Sequence, residues 1–426
     1  MTTDQNNIQL PKDWQWVKLE EVCDKISNGA NVKQHDDKAG IPITRIETIW
    51  NENIDLNRIK YISETDNSFL EKYSLKSNDI LFSHINSDLH LGKTAIFKNQ
   101  TKNLIHGINL LLIRLNEKIN SDFINFQFKY KRSKGEFIAI AQKSVNQSSI
   151  NQSKLKNLDI ILPPLYTQHL IVSKIESLFT QLDKGIESLR LAQQQLKIYR
   201  QAVLKLAFEG RLTNDDVKDG ELPEEWKWVN LGEFAKISGG ITKNSKRENY
   251  ELVLPYLRVA NVYFNKLDLQ NIHTIGIRKS ELERVKLVKD DLLFVEGNGS
   301  IDQIGRVALW DGSIAQCVHQ NHLIKARFSK YVLPKYALFF FSSKIGRNKI
   351  ERLANSTSGL HTLNLTKISK LPIPICSTSE QHQIIQAIES RLIIADNIEQ
   401  TINQSLTHAE ALKQSILKMA FEGRLM

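Results

Sequence analysis

The sequence predicts an α+β protein of two globular domains, each followed by a long helix, arranged as a pseudo-two-fold internal repeat. Three observations predict it. Words of sequence recur about 213 residues apart, half of the 426-residue chain. The first part of each half holds short β-branched and aromatic runs between turn formers. The second part of each half is free of proline and carries a heptad pattern.

The recurring words run through the chain in order. Leu10-Pro11-Lys12-Asp13-Trp14-Gln15-Trp16-Val17-Lys18-Leu19 returns as Leu222-Pro223-Glu224-Glu225-Trp226-Lys227-Trp228-Val229-Asn230-Leu231. Lys25-Ile26-Ser27 returns as Lys236-Ile237-Ser238, and Asp79-Ile80-Leu81-Phe82 as Asp291-Leu292-Leu293-Phe294. Pro42 and Arg45 correspond to Pro255 and Arg258. Both halves close on Ala-Phe-Glu-Gly-Arg-Leu, at 207–212 and 420–425. Two copies of this length make a duplicated domain with a duplicated tail rather than a solenoid. The expected division is 1–162 and 213–376 for the globules, 163–212 and 377–426 for the helices. Ile80–Ser83, Leu110–Leu115 and Leu292–Val295 read as strands, with turns at Ser27-Asn28-Gly29 and Gly297-Asn298-Gly299.

In the first tail, Ile175, Leu182, Leu189, Leu196 and Val203 occupy one heptad position. Ile171, Leu178, Gly185, Ala192, Tyr199 and Leu206 occupy the second. About five heptads exceed the usual globular helix of about 11–12 residues and argue for a coiled-coil seam. The second tail gives Ile388, Ala395, Ile402, Ala409 and Ile416, with Ile384, Arg391, Ile398, Ser405, Leu412 and Met419 in the alternate slots. Arg391 and Ser405 are expected to interrupt this stripe. Thr378 with Gln381 reads as a capping box, and Gly210 and Gly423 as helix stops. A helix from Thr167 to Glu209 would run roughly 60 Å.

Composition narrows the function. Lys plus Arg number 57 against 47 Asp plus Glu, a net charge of +10, which favours a polyanionic partner. Cys23, Cys317 and Cys376 are far apart, with neither disulfide framework nor zinc spacing. The polar start Met1–Asn7 and the short apolar runs lead to the expectation of a soluble cytoplasmic protein with no membrane span.

Catalytic motifs are not found. Gly92-Lys93-Thr94 resembles the end of a phosphate loop, but the glycine required five residues earlier is Ser87. Leu162, not Asp or Asn, precedes Pro163-Pro164, unlike the pattern of adenine methyltransferases. Gly297-Asn298-Gly299 has Asp302 where a dinucleotide fingerprint needs glycine. His319 with His322, and His84 with His90, lack further metal ligands at suitable spacing. His169 and His382 are repeat equivalents at the helix starts, suited to helix ends or subunit contacts.

Taken together, the Leu-Pro-x-x-Trp-x-Trp-Val-x-Leu openings, the Asp-x-Leu-Phe strands and the Pro-Pro-Leu-x-x-Gln-x-x-Ile and Ala-Phe-x-Gly-Arg-Leu tails resemble Type I restriction–modification specificity subunits. The resemblance covers essentially the whole chain in the same order. It implies a non-catalytic subunit in which each globule is a target-recognition domain reading half of a bipartite, asymmetric double-stranded DNA site. It implies that the helices pair as an antiparallel coiled coil that sets spacing and docks two modification subunits. No cofactor is implied on this chain; S-adenosylmethionine, ATP and Mg would belong to the modification and restriction subunits. The implied setting is host defence through DNA modification.

Between the halves, the helix-end words match closely and the loops do not: Ser83-His84-Ile85-Asn86-Ser87 faces Val295-Glu296-Gly297-Asn298-Gly299. A shared framework with divergent loops suits two different half-sites, because base edges are read by side chains. The candidate readers in the first globule are Lys33, Gln34, Arg45, Ser83, His84, Asn86, Lys93, Asn146, Gln147 and Ser148. In the second they are Thr242, Lys243, Arg258, Asn261, Asn298, Ser300, Arg306, Ser356, Thr357, Ser358 and His361. Each could equally be a solvated turn residue, and Arg45 and Arg258 could bind phosphate alone. Two other readings stay open: a duplicated coiled-coil adaptor for proteins, which salt-dependent gel shifts would separate, and an atypical nuclease or methyltransferase.

Overall fold

A computed structural model describes residues 10–63, 66–98, 103–145, 147–214, 216–218, 221–298, 300–357 and 360–426. The side chains of Asn298, 355–357, 360 and 361 are outside the description. The chain folds as two compact units, residues 1–189 with 404–426, and residues 190–403.

In the first unit the central sheet is antiparallel, in the order Cys23–Asn28, Leu110–Leu115, Ile80–Ser83, Thr94–Ile96. The helix Ser121–Ser133 contributes to the same core, in which Phe82, Phe123, Phe128 and Phe137 are buried. In the second unit the order is Ala235–Gly239, Leu323–Phe328, Leu292–Val295, Val307–Leu309. Its core holds Phe294, Tyr336, Phe340 and Phe341. The three strands expected from sequence have the expected bounds.

The repeated words have physical reasons. Asp79, 1 % exposed, accepts two bonds from Arg114 at 2.8 and 2.7 Å and one from Lys76 N at 2.6 Å. Asp291 does the same with Arg327, at 2.7 Å twice, and with Val288 N at 2.8 Å. These bonds tie the strand entrance to its neighbour strand. The buried Gln168 accepts from Asn120 N and donates to Pro163 O, each at 2.9 Å. Gln381 likewise accepts from Leu333 N at 2.9 Å and donates to Tyr331 O and Cys376 O. This amide is therefore used on the globule and makes no capping box with Thr378. The helix is capped by Ser377, whose Oγ accepts from Glu380 N at 3.2 Å.

Each tail is a single 44-residue helix, Leu165–Phe208 and Thr378–Phe421. Within the second unit Gln193 bonds Asn403, and Arg200 pairs with Asp396 and Glu399 at 2.6 and 2.8 Å. The partner numbers fall as the first helix rises, so the helices run antiparallel. Within the first unit Lys413 pairs with Asp183 at 2.6 Å. Both helices end in a glycine with positive φ, Gly210 and Gly423. There Arg211 N bonds Leu206 O and Arg424 N bonds Met419 O, closing Schellman turns.

The seam differs from expectation by one residue. Ile175, Leu182, Leu189, Leu196 and Val203, with Ile388, Ile402 and Ile416, are buried or partly buried. The alternate slots belong to Phe179, Ile186, Gln193, Arg200 and Ala207, and to Ile385, Leu392, Glu399, Leu406, Lys413 and Ala420. Tyr199 is 42 % exposed, Leu206 36 %, Ile398 45 % and Leu412 46 %, so these four are not seam residues. Leu178 and Met419 are partly buried, while Ile171 and Ile384 are buried against the globules. Arg391 is exposed outside the stripe, so it interrupts nothing, and Ser405 flanks the seam residue Leu406. An apolarity count misplaces the seam because its true slots include polar residues that pair across the helices.

Candidate nucleic-acid interface

In both globules the strand carrying the Asp-x-Leu-Phe word runs on into a small ribbon and then recurves. In the first, Ile85–Asn86 pairs with Ser148–Ser149, which pairs with Gln142–Lys143. In the second, Gly297–Asn298 pairs with Leu360–Thr362, which pairs with Asn355–Thr357. The chain then returns through Ser87–Gly92 or Ser300–Gly305. Ser83 N bonds Lys93 O and Gly92 N bonds Ser83 O, at 2.8 and 2.9 Å. Val295 N bonds Arg306 O and Gly305 N bonds Val295 O, each at 3.0 Å. The two loops thus share one backbone frame.

The turn glycine explains Gly92-Lys93-Thr94. Gly92 has φ +72°, and a Cβ there would come 2.4 Å from the Phe137 ring. Gly305 has φ +60° and a Cβ would come 2.4 Å from Ile350. Glycine is required by handedness and close approach. The Thr94 hydroxyl is buried and bonded to Asn125 Oδ1 at 2.6 Å.

Beside each recurved loop stands a short hairpin that sequence reasoning missed. Ile49–Trp50 pairs with Asn53–Ile54, and Val262–Tyr263 with Lys266–Leu267. Positive φ at Asn51, Glu52 and Asn265 fits tight hairpin turns. The tips expose aromatics: Trp50 is 47 % exposed, Tyr263 46 % and Phe264 42 %. The Arg58 guanidinium stacks on Trp50 at 3.8 Å, and that of Arg306 lies 5.6 Å over Tyr263. An exposed aromatic next to a turn-forming Asn was the available signal.

Basic side chains flank the first loop. Lys93 is held below its ordinary pKa by burial and by Arg132 beside it, with Glu52 opposing. His90 is lowered by burial and by Lys93 and Arg132. Lys129 pairs with Glu52 at 2.6 Å. Cations crowded with one carboxylate make a surface suited to an anionic ligand. In the second unit Arg306 Nε and Arg258 Nε are buried without a hydrogen-bond partner.

The predicted readers separate into groups. Asn86 and Gln147 lie in or beside the first ribbon and Lys93 at the return of the loop, and all three are partly or fully exposed. Ser83 and His84 are 1 % and 7 % exposed, and burial pushes His84 down to about 4. Ser148 is 3 % exposed and bonded to Asp88. Asn261 is 3 % exposed and bonds Arg258 N, Asp268 O and Asn271 O. These four are corrected to framework residues, because their polar atoms or faces are enclosed. Lys33 and Gln34 precede His35, which bridges to Tyr61 of the Ile41–Ile43 and Lys60–Ile62 pairing, and Arg45 meets Glu47 at 3.2 Å. Thr242 and Lys243 are exposed, and Thr242 O accepts from Arg247. Ser300 is exposed and bonded to Asp302; Arg306 Nη1 donates to Gln303 at 3.3 Å. Asn146 and Ser358, and the side chains of Asn298, Ser356, Thr357 and His361, lie outside the described residues.

Among the described residues no group of three or more His, Cys, Asp or Glu side chains is placed to hold a metal ion. No helix among them is long and apolar enough to cross a membrane.

A family model for the Type I restriction modification DNA specificity domain matches residues 11–189 and again 223–408. The chain is 31% identical to the putative type I restriction enzyme MjaX specificity subunit of Methanocaldococcus jannaschii, over 98% of this chain and 95% of that one. It is 27% identical to the type I restriction enzyme EcoKI specificity subunit of Escherichia coli, over 98% and 90%. Its fold resembles the HsdS subunit of Thermoanaerobacter tengcongensis, with a TM-score of 0.61 at 17% identity, covering 98% and 99%. A chain from a structural study of complex assembly and conformational transition of the type I R-M system gives a TM-score of 0.73 at 18% identity, covering 98% and 100%.

Proposed function

The chain belongs to the Type I restriction–modification DNA specificity family, and from that premise we propose that it reads a bipartite, asymmetric double-stranded DNA site without catalysing a reaction. The globules within 1–162 and 213–376 each read one half-site. One observation carries this reading: both globules build the same recurved loop and hairpin on the same backbone bonds, yet arm them with different side chains. A common frame positions on phosphate, and divergent side chains specify bases.

The continuous 44-residue helices act as a spacer between the two readers. They also dock two modification subunits. Leu191, Ile198, Ile393 and Ile394 are each more than half exposed on these helices, the kind of surface a protein partner covers. S-adenosylmethionine is held by those partners, and ATP and Mg act on restriction subunits, in the cytoplasm where the DNA lies. The test is to bring the chain together with modification subunits, titrate DNA binding against salt, and sequence the methylated sites. A steep salt slope and a two-part methylated motif are expected. Salt-insensitive binding without sequence preference overturns the reading in favour of a protein adaptor.

A further inference from the structure

One arginine holds each recurved loop from behind. Arg132, at the end of the helix Ser121–Ser133, donates from Nη2 to Leu89 O at 2.6 Å and from Nε to Leu91 O at 3.2 Å. Arg347, in the first turn of the helix Lys344–Leu353, donates from Nη1 to Ile304 O at 2.6 Å and from Nη2 to Asp302 O at 3.2 Å. The loop residues correspond through the 213-residue repeat, but the arginines do not: they are 215 apart and sit at opposite ends of different helices. The same contact is thus made twice from unlike starting points.

The neighbouring hairpin is engaged directly by Arg347 and lies within the electrostatic reach of Arg132. The Arg347 guanidinium lies 5.2 Å over the Phe264 ring. Arg132 is attracted by Glu52, the hairpin residue that Lys129 pairs. Arg347 is 9 % exposed, so little of it is left for a ligand to touch.

We propose that Arg132 and Arg347 are positioning residues for base discrimination, each locking the backbone of its recurved loop so that the exposed side chains meet DNA in one arrangement. The inference rests on the DNA-reading role above. A guanidinium offers a rigid fork of donors that fits two carbonyls at once, whereas an ammonium is a single flexible point. Without the fork, the polar loop samples several arrangements. A loop that must be ordered on binding weakens every complex, and one that can shift also accommodates mismatched bases.

The experiment uses the full chain with modification subunits and oligonucleotides mutated base by base across its own methylated motif. Arg347→Met should lower the cognate-to-mismatch binding ratio on the order of tenfold at the half-site of the second globule. The other half-site should keep its ratio, and Arg132→Met should do the reverse. Arg347→Lys and Arg132→Lys should lose less, in the same half-site-restricted way. Thermal melting accompanies each variant; if a Met variant does not fold, the Lys variant must still show the restricted loss. Full discrimination in folded variants, or equal loss at both half-sites, overturns the inference. Absence of any preference in the unaltered chain overturns the DNA-reading role itself.

Discussion

Gly423 turns directly against Pro11: with φ at +70°, a Cβ added to Gly423 would lie 2.4 Å from Pro11 Cγ. Gly210 meets Pro223 in the same way, with φ +75° and 2.2 Å. The opening word and the closing word of the repeat are therefore contact partners. In the first unit the closing word comes from the far end of the chain, and Ile416, Leu417, Ala420 and Phe421 enter the core. In the second unit Val203, Leu204, Ala207 and Phe208 do so.

Phe421 should therefore be a core residue of the first globule although it lies near the end of the chain. Its ring meets Phe123 at 5.4 Å and Tyr130 at 5.6 Å. Phe421→Ala should destabilise this unit by about 3–5 kcal/mol, and Gly423→Ala by about 1 kcal/mol or more. Hydrogen exchange should rise in the strands Ile80–Ser83 and Leu110–Leu115 and stay unchanged in Leu292–Val295 and Leu323–Phe328. Uniform change in both units would contradict this assignment.

The displaced seam gives a second expectation. Ile186 is 7 % exposed and Tyr199 42 %. Ile186→Ala should cost about 2–4 kcal/mol, and Tyr199→Ala less than about 1 kcal/mol. Urea midpoints of the two variants decide between the seam seen here and the heptad frame that places Tyr199 inside.

Much of the architecture was legible because duplication writes it twice. The two helices, their glycine stops and three core strands follow from repeated words and periodicity. The seam frame was not, because Arg200 pairs with Asp396 and Glu399 inside a stripe where only apolar residues were sought. Site residues were harder still. Asn261 and Ser148 look like free polar loop residues in sequence, yet their hydrogen bonds close inside the protein. Arg132 and Arg347 escaped because their offset departs from that of the repeat. A contact kept while its position in sequence moves leaves no word to find.

Acid should weaken both units through buried neutral histidines. Burial, helped by nearby Lys325, pushes His319 from its ordinary value near 6.5 to about 3; burial pushes His84 to about 4. In each case the folded state resists the proton that the unfolded chain accepts below about pH 6.5. The stabilisation is complete above that value and is lost progressively as pH falls toward the folded pKa. Urea midpoints should decline from about pH 6.5 down to about pH 4. His319→Gln should flatten the decline in the second unit, and His84→Gln in the first. An unchanged slope in His319→Gln would show that another group controls the acid response.

A fragment ending at Leu212 tests the duplication itself. It keeps the first globule and the first helix but lacks Ile416, Leu417, Ala420 and Phe421, which close that globule's core. It also carries Val203, Leu204, Ala207 and Phe208 with no second globule to cover them. Each large side chain left in water forgoes about 1.5–3 kcal/mol. Both deficits are met if two fragments exchange ends, because 207–212 repeats the sequence of 420–425 and would place Gly210 against Pro11 of the other copy. The result should be a homodimer with two-fold symmetry, stabilised along the seam by the same antiparallel register. In the corresponding dimer of the second half Arg391 breaks no contact, since it stands outside the stripe. Supplied with modification subunits, the 1–212 dimer should direct methylation to a palindrome of the first half-site. Sedimentation as a monomer, or a dimer whose methylated sites remain asymmetric, would rule out the exchange.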